Sequence, residues 1–340
     1  MSSPSEQPRA ARLHRAVALV LALATLLATA VLVAAMVPAS PAWLTPAWAG
    51  SAGAVTISTV FTVALAARTG GRPVVFGGLA LALGLAAVLL DDDRLSTGAA
   101  VTTCAIAAVL GVMTTVPAPR FRHAVRECLL AMLVAAVGAL AVVGYAPVVA
   151  VARFEYAAFA LALAGAFVLV YRLGAGLHGL GRRGVLVVVV GAVVLTGTLL
   201  YAELLRRYGT QDLVESLLDG VRWSREELGA FPRPVESVLG VPALVWGCHM
   251  RARRRQGWWL CAFGVAATAA AASSLVNPMI TLTEAVLSVV YGVVVGLVIG
   301  FLVIRLDLAL TGPRGRRTRA RAPEGDVAVR PEPPRGAALL

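Results

Sequence analysis

Five residues at the ends of two neighbouring apolar stretches can form a charged site within a membrane. Arg153, Glu155 and Tyr156 open one stretch, and Tyr201 and Glu203 close the next. If the two stretches form an antiparallel hairpin that turns near residue 178, Arg153 lies level with Glu203 and Glu155 with Tyr201. Ionisable groups inside a bilayer are costly and generally face a partner or a cavity. The cluster is therefore the leading candidate site, unless the helix starts nearer Tyr156 and the charges lie among the lipid headgroups.

The remaining residue types that can do chemistry form no complete site. Cys248, His249 and Cys261 are expected at equal depth on two adjacent helices, but a fourth ligand is not evident and the spacing matches no zinc pattern. The acidic run 91–93 is typical of a solvated loop. No nucleophile–base arrangement or paired carboxylates can be assembled, so catalytic residues stay unknown. Neither a metal nor a cofactor is expected, and a non-enzymatic role is preferred.

Four small residues spaced by four form the sharpest packing pattern in the chain. Ser288, Gly292, Gly296 and Gly300 fall on one face of the last apolar helix. Such a face lets another backbone approach closely, as in an extended GxxxG motif. The partner is predicted to be an internal helix, with a second subunit in a homo-oligomer as the alternative.

Composition indicates that these residues lie on membrane-spanning helices. Apolar residues make up 59% of the 340 positions and charged residues only 14%, far from the usage of soluble domains. About 20 apolar residues cross a bilayer, and ten stretches approach that length. They are 16–37, 48–67, 73–90, 97–116, 128–145, 148–171, 184–205, 234–250, 258–276 and 285–304. The stretch 234–250 is the shortest in purely apolar residues, and Pro234 is a favoured first residue for it.

The distribution of arginines orients this ladder. With ten spans, 23 of the 30 basic residues fall on one side together with 6 acidic residues, and 7 fall on the other side with 12 acidic residues. Cytoplasmic loops are enriched in basic residues. The predicted fold is thus an all-α polytopic bundle of about ten spans with both termini in the cytoplasm.

Five segments follow along the chain. A basic cytoplasmic N-terminus (1–15) precedes spans one to seven (16–205), an extracytoplasmic segment (206–233), spans eight to ten (234–304) and an Arg- and Pro-rich tail (305–340) that is expected to be disordered. The segment 206–233 carries an apolar stripe at helical spacing. It is predicted to form two short helices, which either lie on the outer leaflet or cover the 153/203 cluster.

Basic clusters on the predicted inner side are expected to contact anionic lipid headgroups. They comprise Arg182 and Arg183 in one loop and Arg314, Arg316 and Arg317 in the tail. The net charge of +12 lies in short loops and in the tail between and beyond apolar stretches. This layout favours a lipid bilayer over nucleic acid as the partner.

Every basic residue is Arg, and Ala, Gly, Val, Leu and Pro are abundant. In this composition and layout the chain resembles the uncharacterised multi-pass integral membrane proteins of actinobacteria, which implies a plasma-membrane location and transfers no active site. The predicted function is permease-like or lipid-related transport with an unknown solute or lipid substrate. The alternatives are a membrane-embedded enzyme that acts on a lipid-linked substrate at the outer face, and a non-catalytic scaffold.

Overall fold

The computed structural model describes residues 6–37, 46, 48–148, 150–175, 177–254, 256–311 and 331–339. Within these ranges the chain is helical and contains no strand, so the all-α class is confirmed. Two segments, Tyr171–Ala175 and Val235–Gly240, are π-helical. The α-helices are α1 (Glu6–Met36), α2 (Ala49–Arg68), α3 (Pro73–Leu89), α4 (Asp93–Met113), α5 (Phe121–Gly144), α6 (Val151–Val170), α7 (Leu177–Tyr208), α8 (Gln211–Leu228), α9 (Val241–Arg251), α10 (Gly257–Phe263), α11 (Val265–Ala272) and α12 (Leu282–Thr311).

Seven helical stretches in the described ranges are long and apolar enough to cross a bilayer. The other three predicted spans correspond to shorter helices, namely α3, the π-helical segment 235–240 with α9, and α10 with α11. The structure is therefore a helical bundle with seven candidate spans, and the count of ten stays a prediction. The seven are Ala16–Met36, Ala49–Arg68, Asp93–Met113, Phe121–Gly144, Val151–Leu173, Gly184–Tyr201 and Leu282–Leu310.

Proline and glycine explain the irregular helices at predicted spans eight and nine. Pro242 has no N–H for a helical hydrogen bond, and the π-helical segment immediately precedes it. Gly240 lies so close to the backbone of Ala267 that a β-carbon would collide with it. At Gly264, where α10 passes into α11, the backbone N–H is shared between the carbonyls of Leu260 and Cys261. Close packing between these two spans thus accompanies their departures from regular α-helix.

The core is built from small side chains around α11. All eight residues of α11 are buried, and α4, α5 and α6 pack against it. Gly138 of α5 meets Ala107 of α4 without room for a β-carbon. Small residues let helix backbones approach closely where apolar burial from water supplies no driving force. In contrast, α1, α3 and α7 expose many Leu and Val side chains, as expected of surfaces that face lipid.

Contacts between helix ends give the bundle two distinct ends. At one end, which we call the arginine end, Arg68 at the end of α2 donates to the carbonyl of Met113 at the end of α4. There Arg251 at the end of α9 donates to Thr115. At the opposite end, which we call the cavity end, α2 and α5 meet at Gly50 and Gly144. The predicted alternation of neighbouring helices is consistent with these contacts.

The helices α9 and α12 run parallel from the cavity end to the arginine end. Gly296 of α12 packs on Val241, and Gly300 one turn later packs on Val245. A parallel pair requires the connecting α10 and α11 to run the opposite way. The helix α9, the pair α10 and α11, and the helix α12 thus alternate in direction, as predicted for spans eight, nine and ten.

The C-terminal tail differs from the expected disorder in two stretches. The last helix continues to Thr311, seven residues beyond the predicted end of span ten at 304. Residues 331–339 lie against the arginine end, where the N–H of Leu339 donates to the carbonyl of Arg68 at 2.8 Å. Residues 312–330 lie outside the described ranges. The ion pairs of the tail residues Glu332 and Arg335 contribute to this attachment.

Candidate functional site

An open cavity of about 470 Å³ lies at the cavity end of the bundle. Its wall is formed by the start of α6, the end of the predicted span in α7, the segment before α9, α11 and the start of α12. The polar and aromatic side chains of that wall are Glu155, Tyr156, Phe159, Thr198, Tyr201, Arg225, Phe231, Arg233, Ser273, Asn277, Glu284 and Ser288. Apolar walls with a few convergent polar groups are typical of small-molecule sites.

An ion pair between Glu155 and Arg233 lies in this wall. Arg233 Nη1 is 3.3 Å from Glu155 Oε1 and also donates to the carbonyl of Ala270 at 3.2 Å. That carbonyl lies near the end of α11, where the negative end of the helix dipole favours a cation. The side chains of Arg233 and Glu155 are 23% and 37% exposed. The pair is thus partly accessible to a ligand in the cavity.

A second ion pair joins α8 to α12 over the cavity. Arg225 Nε lies 3.5 Å from Glu284 Oε1. The segment after α8 is held by two further bonds to α12: Ser288 donates to the carbonyl of Phe231 at 2.7 Å, and Tyr291 donates to that of Leu228 at 2.8 Å. The segment 206–233 therefore covers one side of the cavity, while its predicted position over a cluster of Arg153 and Glu203 stays a prediction.

The segment 206–233, predicted to be extracytoplasmic, contains one helix, α8, where two short helices were expected. Helix α8 runs unbroken through Ser224 and ends at Gly229, which adopts a left-handed conformation at φ 78°. Ser224 does not cap a new helix, because its hydroxyl donates forward to the carbonyl of Ala230 at 2.8 Å. This bond closes the turn that leads into the cavity wall.

The structure brings together three of the five residues in the predicted cluster. Glu155, Tyr156 and Tyr201 line the cavity. Arg153 is exposed and is not part of the wall, since two residues along a helix turn the side chain to a different face. The side chain of Glu203 lies outside the described part of the structure. The partner of Glu155 is Arg233 from the segment that follows α8, which the hairpin geometry did not reveal.

A fully buried carboxylate lies next to the cavity wall. Glu236 is 0% exposed, and neither carboxylate oxygen has a hydrogen-bond partner within the described residues. It packs on Gly292, where a β-carbon would come within 2.7 Å of the carboxyl carbon. Glu236 follows the wall residue Val235 directly, and Gly292 lies one helical turn beyond the wall residue Ser288. The sequence analysis gave Glu236 no role.

The small-residue face of α12 packs inside the chain. Gly292 meets Glu236, Gly296 meets Val241, and Gly300 meets Pro242 and Val245. Ser288, the first residue of the pattern, is hydrogen-bonded to the cavity segment. These contacts are internal, as was predicted for this face, and the alternative of a homo-oligomer through α12 stays a prediction.

Five charged residues that the sequence analysis did not single out as a site meet at the arginine end. They come from α2, α5, α9 and the tail: Arg68, Glu127, Arg251, Glu332 and Arg335. Arg251 is 0% exposed and Glu127 is likewise 0% exposed. In the sequence, each arginine is explained by the general excess of positive charge predicted for cytoplasmic segments. The sequence therefore indicates no specific partner for it.

The cysteine and histidine residues form no metal site in the described structure. Cys248 and Cys261 are both buried and free and lie together, as their equal depth predicted. His249 points elsewhere, with Nδ1 3.1 Å from the carbonyl of Ala118. No group of three potential ligands occurs among the described residues. The proposed headgroup contacts of Arg182, Arg183, Arg314, Arg316 and Arg317 involve side chains outside the described part.

Comparisons with known proteins assign the chain to no family. No protein-family model matches it, and neither does any curated protein or any solved structure. The likeness to actinobacterial membrane proteins is one of composition and layout, and it gives no residue a role.

Proposed function

We propose that the chain is a permease-like protein of the plasma membrane that binds a small amphipathic molecule at the cavity end. The ligand carries both a positive and a negative group, or a single charge that replaces one partner of an ion pair. In this proposal the bundle has ten spans and both termini are cytoplasmic, so the cavity opens towards the outer leaflet. The arginine end then faces the anionic lipids of the inner leaflet.

The cavity with the Glu155–Arg233 pair is the observation that carries this proposal. Its volume of about 470 Å³ falls within the range of ligand pockets, roughly 300–1,000 Å³. Tyr156 and Tyr201 line it and are 58% and 44% exposed, so it is open on the side where α6 and α7 face lipid. Tyrosines combine an apolar ring with a polar hydroxyl. This combination suits a molecule that enters from the membrane interface.

The charged groups of the wall favour binding over catalysis. Glu155 and Glu284 are each paired with an arginine, and a general acid or base needs a carboxyl that is free to exchange a proton with the substrate. Two oriented ion pairs instead offer complementary charges to a ligand. An enzyme that acts on a lipid-linked substrate is therefore the second candidate. The scaffold alternative requires no cavity.

Native mass spectrometry of the purified protein tests the proposal. The wild type, extracted in mild detergent, is expected to retain a stoichiometric small molecule or lipid that the Glu155→Gln variant loses. Arg153→Gln is the matched control, because Arg153 lies two residues away on α6 but outside the cavity wall. The control is expected to retain the same molecule. Loss in both variants, or retention in both, would contradict the assignment of the site.

An activity assay with the identified molecule then distinguishes a permease from an enzyme. A permease moves it unchanged into liposomes that contain the protein, and an enzyme returns a chemically altered product. If the wild type carries only bulk lipid and no added compound binds, the cavity is not a ligand site and the scaffold alternative leads.

A further inference from the structure

Arg251 at the arginine end is a buried cation held in a fixed position. Its Nη1 donates to Thr115 Oγ1 at 2.7 Å and its Nη2 to the Thr115 carbonyl at 3.1 Å. The guanidinium lies over the ring of Trp258, 3.5 Å from the ring centroid. Thr115 follows the end of α4 and Trp258 lies in α10, so these contacts of the guanidinium do not involve the tail. A buried cation held this way attracts an anion strongly.

The anion that occupies this position belongs to the tail. Glu332 Oε2 lies 2.6 Å from Arg251 Nη2, and its side chain is only 5% exposed. Arg68, which is 4% exposed, holds the same segment by donating to the carbonyls of Pro334, at 2.8 Å, and Ala337. Both arginines therefore contact the same short segment of the tail.

Two buried guanidinium donors at this position are not used by the tail. Arg68 Nη2 and Arg251 Nε are buried and have no hydrogen-bond partner in the described structure. Arg335 of the tail is paired with Glu127 at 2.6 Å, so the neighbourhood of Glu332 keeps an excess of positive charge. Buried donors without partners are costly. A phosphate group offers more acceptor oxygens than one carboxylate and matches the planar geometry of guanidinium groups.

We propose that Arg251 and Arg68 form a phosphate-binding site and that Glu332 is its intramolecular ligand. The carboxylate occupies the site when no external anion is bound, and a phosphate group on the same face displaces it together with residues 331–339. A tethered competitor of this kind acts at a high effective concentration, so only a ligand with better complementarity replaces it. This site is separate from the cavity and does not rest on the proposed function.

The phosphate group has two sources, an anionic lipid headgroup and a soluble phosphate. Wild-type protein is placed in nanodiscs of zwitterionic phosphatidylcholine with inorganic phosphate, with chloride at equal ionic strength as the control for screening. A second arm uses phosphatidylglycerol nanodiscs without free phosphate. The readout is the rate at which trypsin cleaves after Arg335, followed by mass spectrometry of the released residues 336–340. Faster cleavage in only one of the two arms identifies the source of the phosphate group.

We expect phosphate or the anionic lipid to accelerate this cleavage severalfold over chloride. The Glu332→Gln variant is expected to be cleaved rapidly without any added anion, and Glu226→Gln, an exposed carboxylate on α8, to behave as wild type. Equal rates in phosphate, chloride and both lipids would overturn the proposal.

A binding measurement keeps the test independent of the protease. In Glu332→Gln the site lacks its carboxylate, so phosphate at equal ionic strength to chloride is expected to raise the thermal midpoint. Adding Arg251→Gln is expected to abolish this shift. If that double variant does not fold, Thr115→Val in the Glu332→Gln background removes one partner of Arg251 and is expected to reduce the shift. If phosphate leaves the thermal midpoint of Glu332→Gln the same as in chloride, the proposal is likewise overturned.

Discussion

Two fully buried glutamates in this chain have opposite surroundings. Glu127 accepts from the backbone N–H of Val116 at 3.0 Å and pairs with Arg335 at 2.6 Å. Glu236 has no hydrogen-bond partner among the described residues. Neutralising a buried carboxylate that accepts hydrogen bonds from cationic groups removes those bonds and is destabilising. Removing the charge from a carboxyl that has no partner relieves a desolvation cost.

The same substitution is therefore expected to have opposite effects at these two positions. Glu127→Gln should lower stability by about 1–2 kcal/mol, because its charged hydrogen bonds to Arg335 and Arg126 are lost, whereas Glu236→Gln should leave stability unchanged or raise it. The two variants are controls for each other, since each replaces a buried carboxylate with an amide of the same shape. Thermal unfolding midpoints in one detergent provide the comparison. A loss at Glu236 as large as that at Glu127 would mean that Glu236 has a partner that stabilises its charge.

The residues of the cavity were only partly predictable from the sequence. Glu155, Tyr156 and Tyr201 were found because a charge in an apolar stretch stands out against its neighbours. The partner of Glu155, Arg233, was not predicted, because it lies in the polar segment before α9, where an arginine does not stand out. The tail residue Glu332 was hidden for the same reason. Its contact with Arg251 joins positions 81 residues apart, and sequence spacing carries no information on such a pair.

At the scale of helices, the contact between α12 and the segment containing α9 depends on three glycines. A β-carbon on Gly296 would lie 2.5 Å from the β-carbon of Val241, and one on Gly292 would meet the Glu236 carboxyl at 2.7 Å. Real side chains do not approach so closely, so any larger residue there must separate the helices. Van der Waals packing is a principal source of helix association within a bilayer.

We expect Gly296→Leu to destabilise the protein by about 2–3 kcal/mol through overpacking. The matched control is Gly78→Leu in α3, where a β-carbon would meet no atom within 4 Å and the position is exposed. This control should change stability by less than about 0.5 kcal/mol. Fluorescence-detected thermal unfolding in detergent measures both. Equal midpoints for the two variants would show that the α12 face is not tightly packed.

Helix positions were predicted more fully than helix regularity. Long apolar runs mark where helices lie, because the bilayer sets one length for all of them. The π-helical segment before Pro242 and the change at Gly264 were not foreseen. Both lie where glycine allows close packing, of Gly240 on Ala267 and of Gly264 on Leu244. Tertiary contacts of this kind leave no periodic pattern in the sequence.

The whole molecule is polarised between its two ends. The arginine end holds Arg68, Arg251 and Arg335 together with the tail, and the cavity end holds the acidic α8 and the Glu155–Arg233 pair. Positive charge in short loops determines the orientation of multi-pass proteins. The arginine end is therefore expected in the cytoplasm. This expectation underlies the proposal that the cavity opens towards the outer leaflet.

Cysteine accessibility in whole cells tests this orientation. The native cysteines Cys104, Cys128, Cys248 and Cys261 are all buried, so they leave a low background. Gly220→Cys in α8 and Arg253→Cys after α9 introduce thiols at exposed positions at opposite ends of the bundle. Gly220 also has no atom within 4 Å of an added β-carbon, so the helix tolerates the substitution. A membrane-impermeant maleimide is expected to label Gly220→Cys in intact cells and Arg253→Cys only after permeabilisation.

The pattern of labelling separates three arrangements. The reverse pattern would place the cavity in the cytoplasm and the Arg251–Glu332 site outside, which contradicts the orientation set by the arginines. Labelling of both thiols in intact cells would mean that the stretch 234–250 does not cross the bilayer. In that case α8 and the loop after α9 lie on one side, and the contacts of Gly296 and Gly300 with this stretch must form within one leaflet. The expected and the reverse pattern are both compatible with parallel crossings of the stretch 234–250 and α12, and thus with a bundle of ten spans. Only the expected pattern also agrees with cytoplasmic termini.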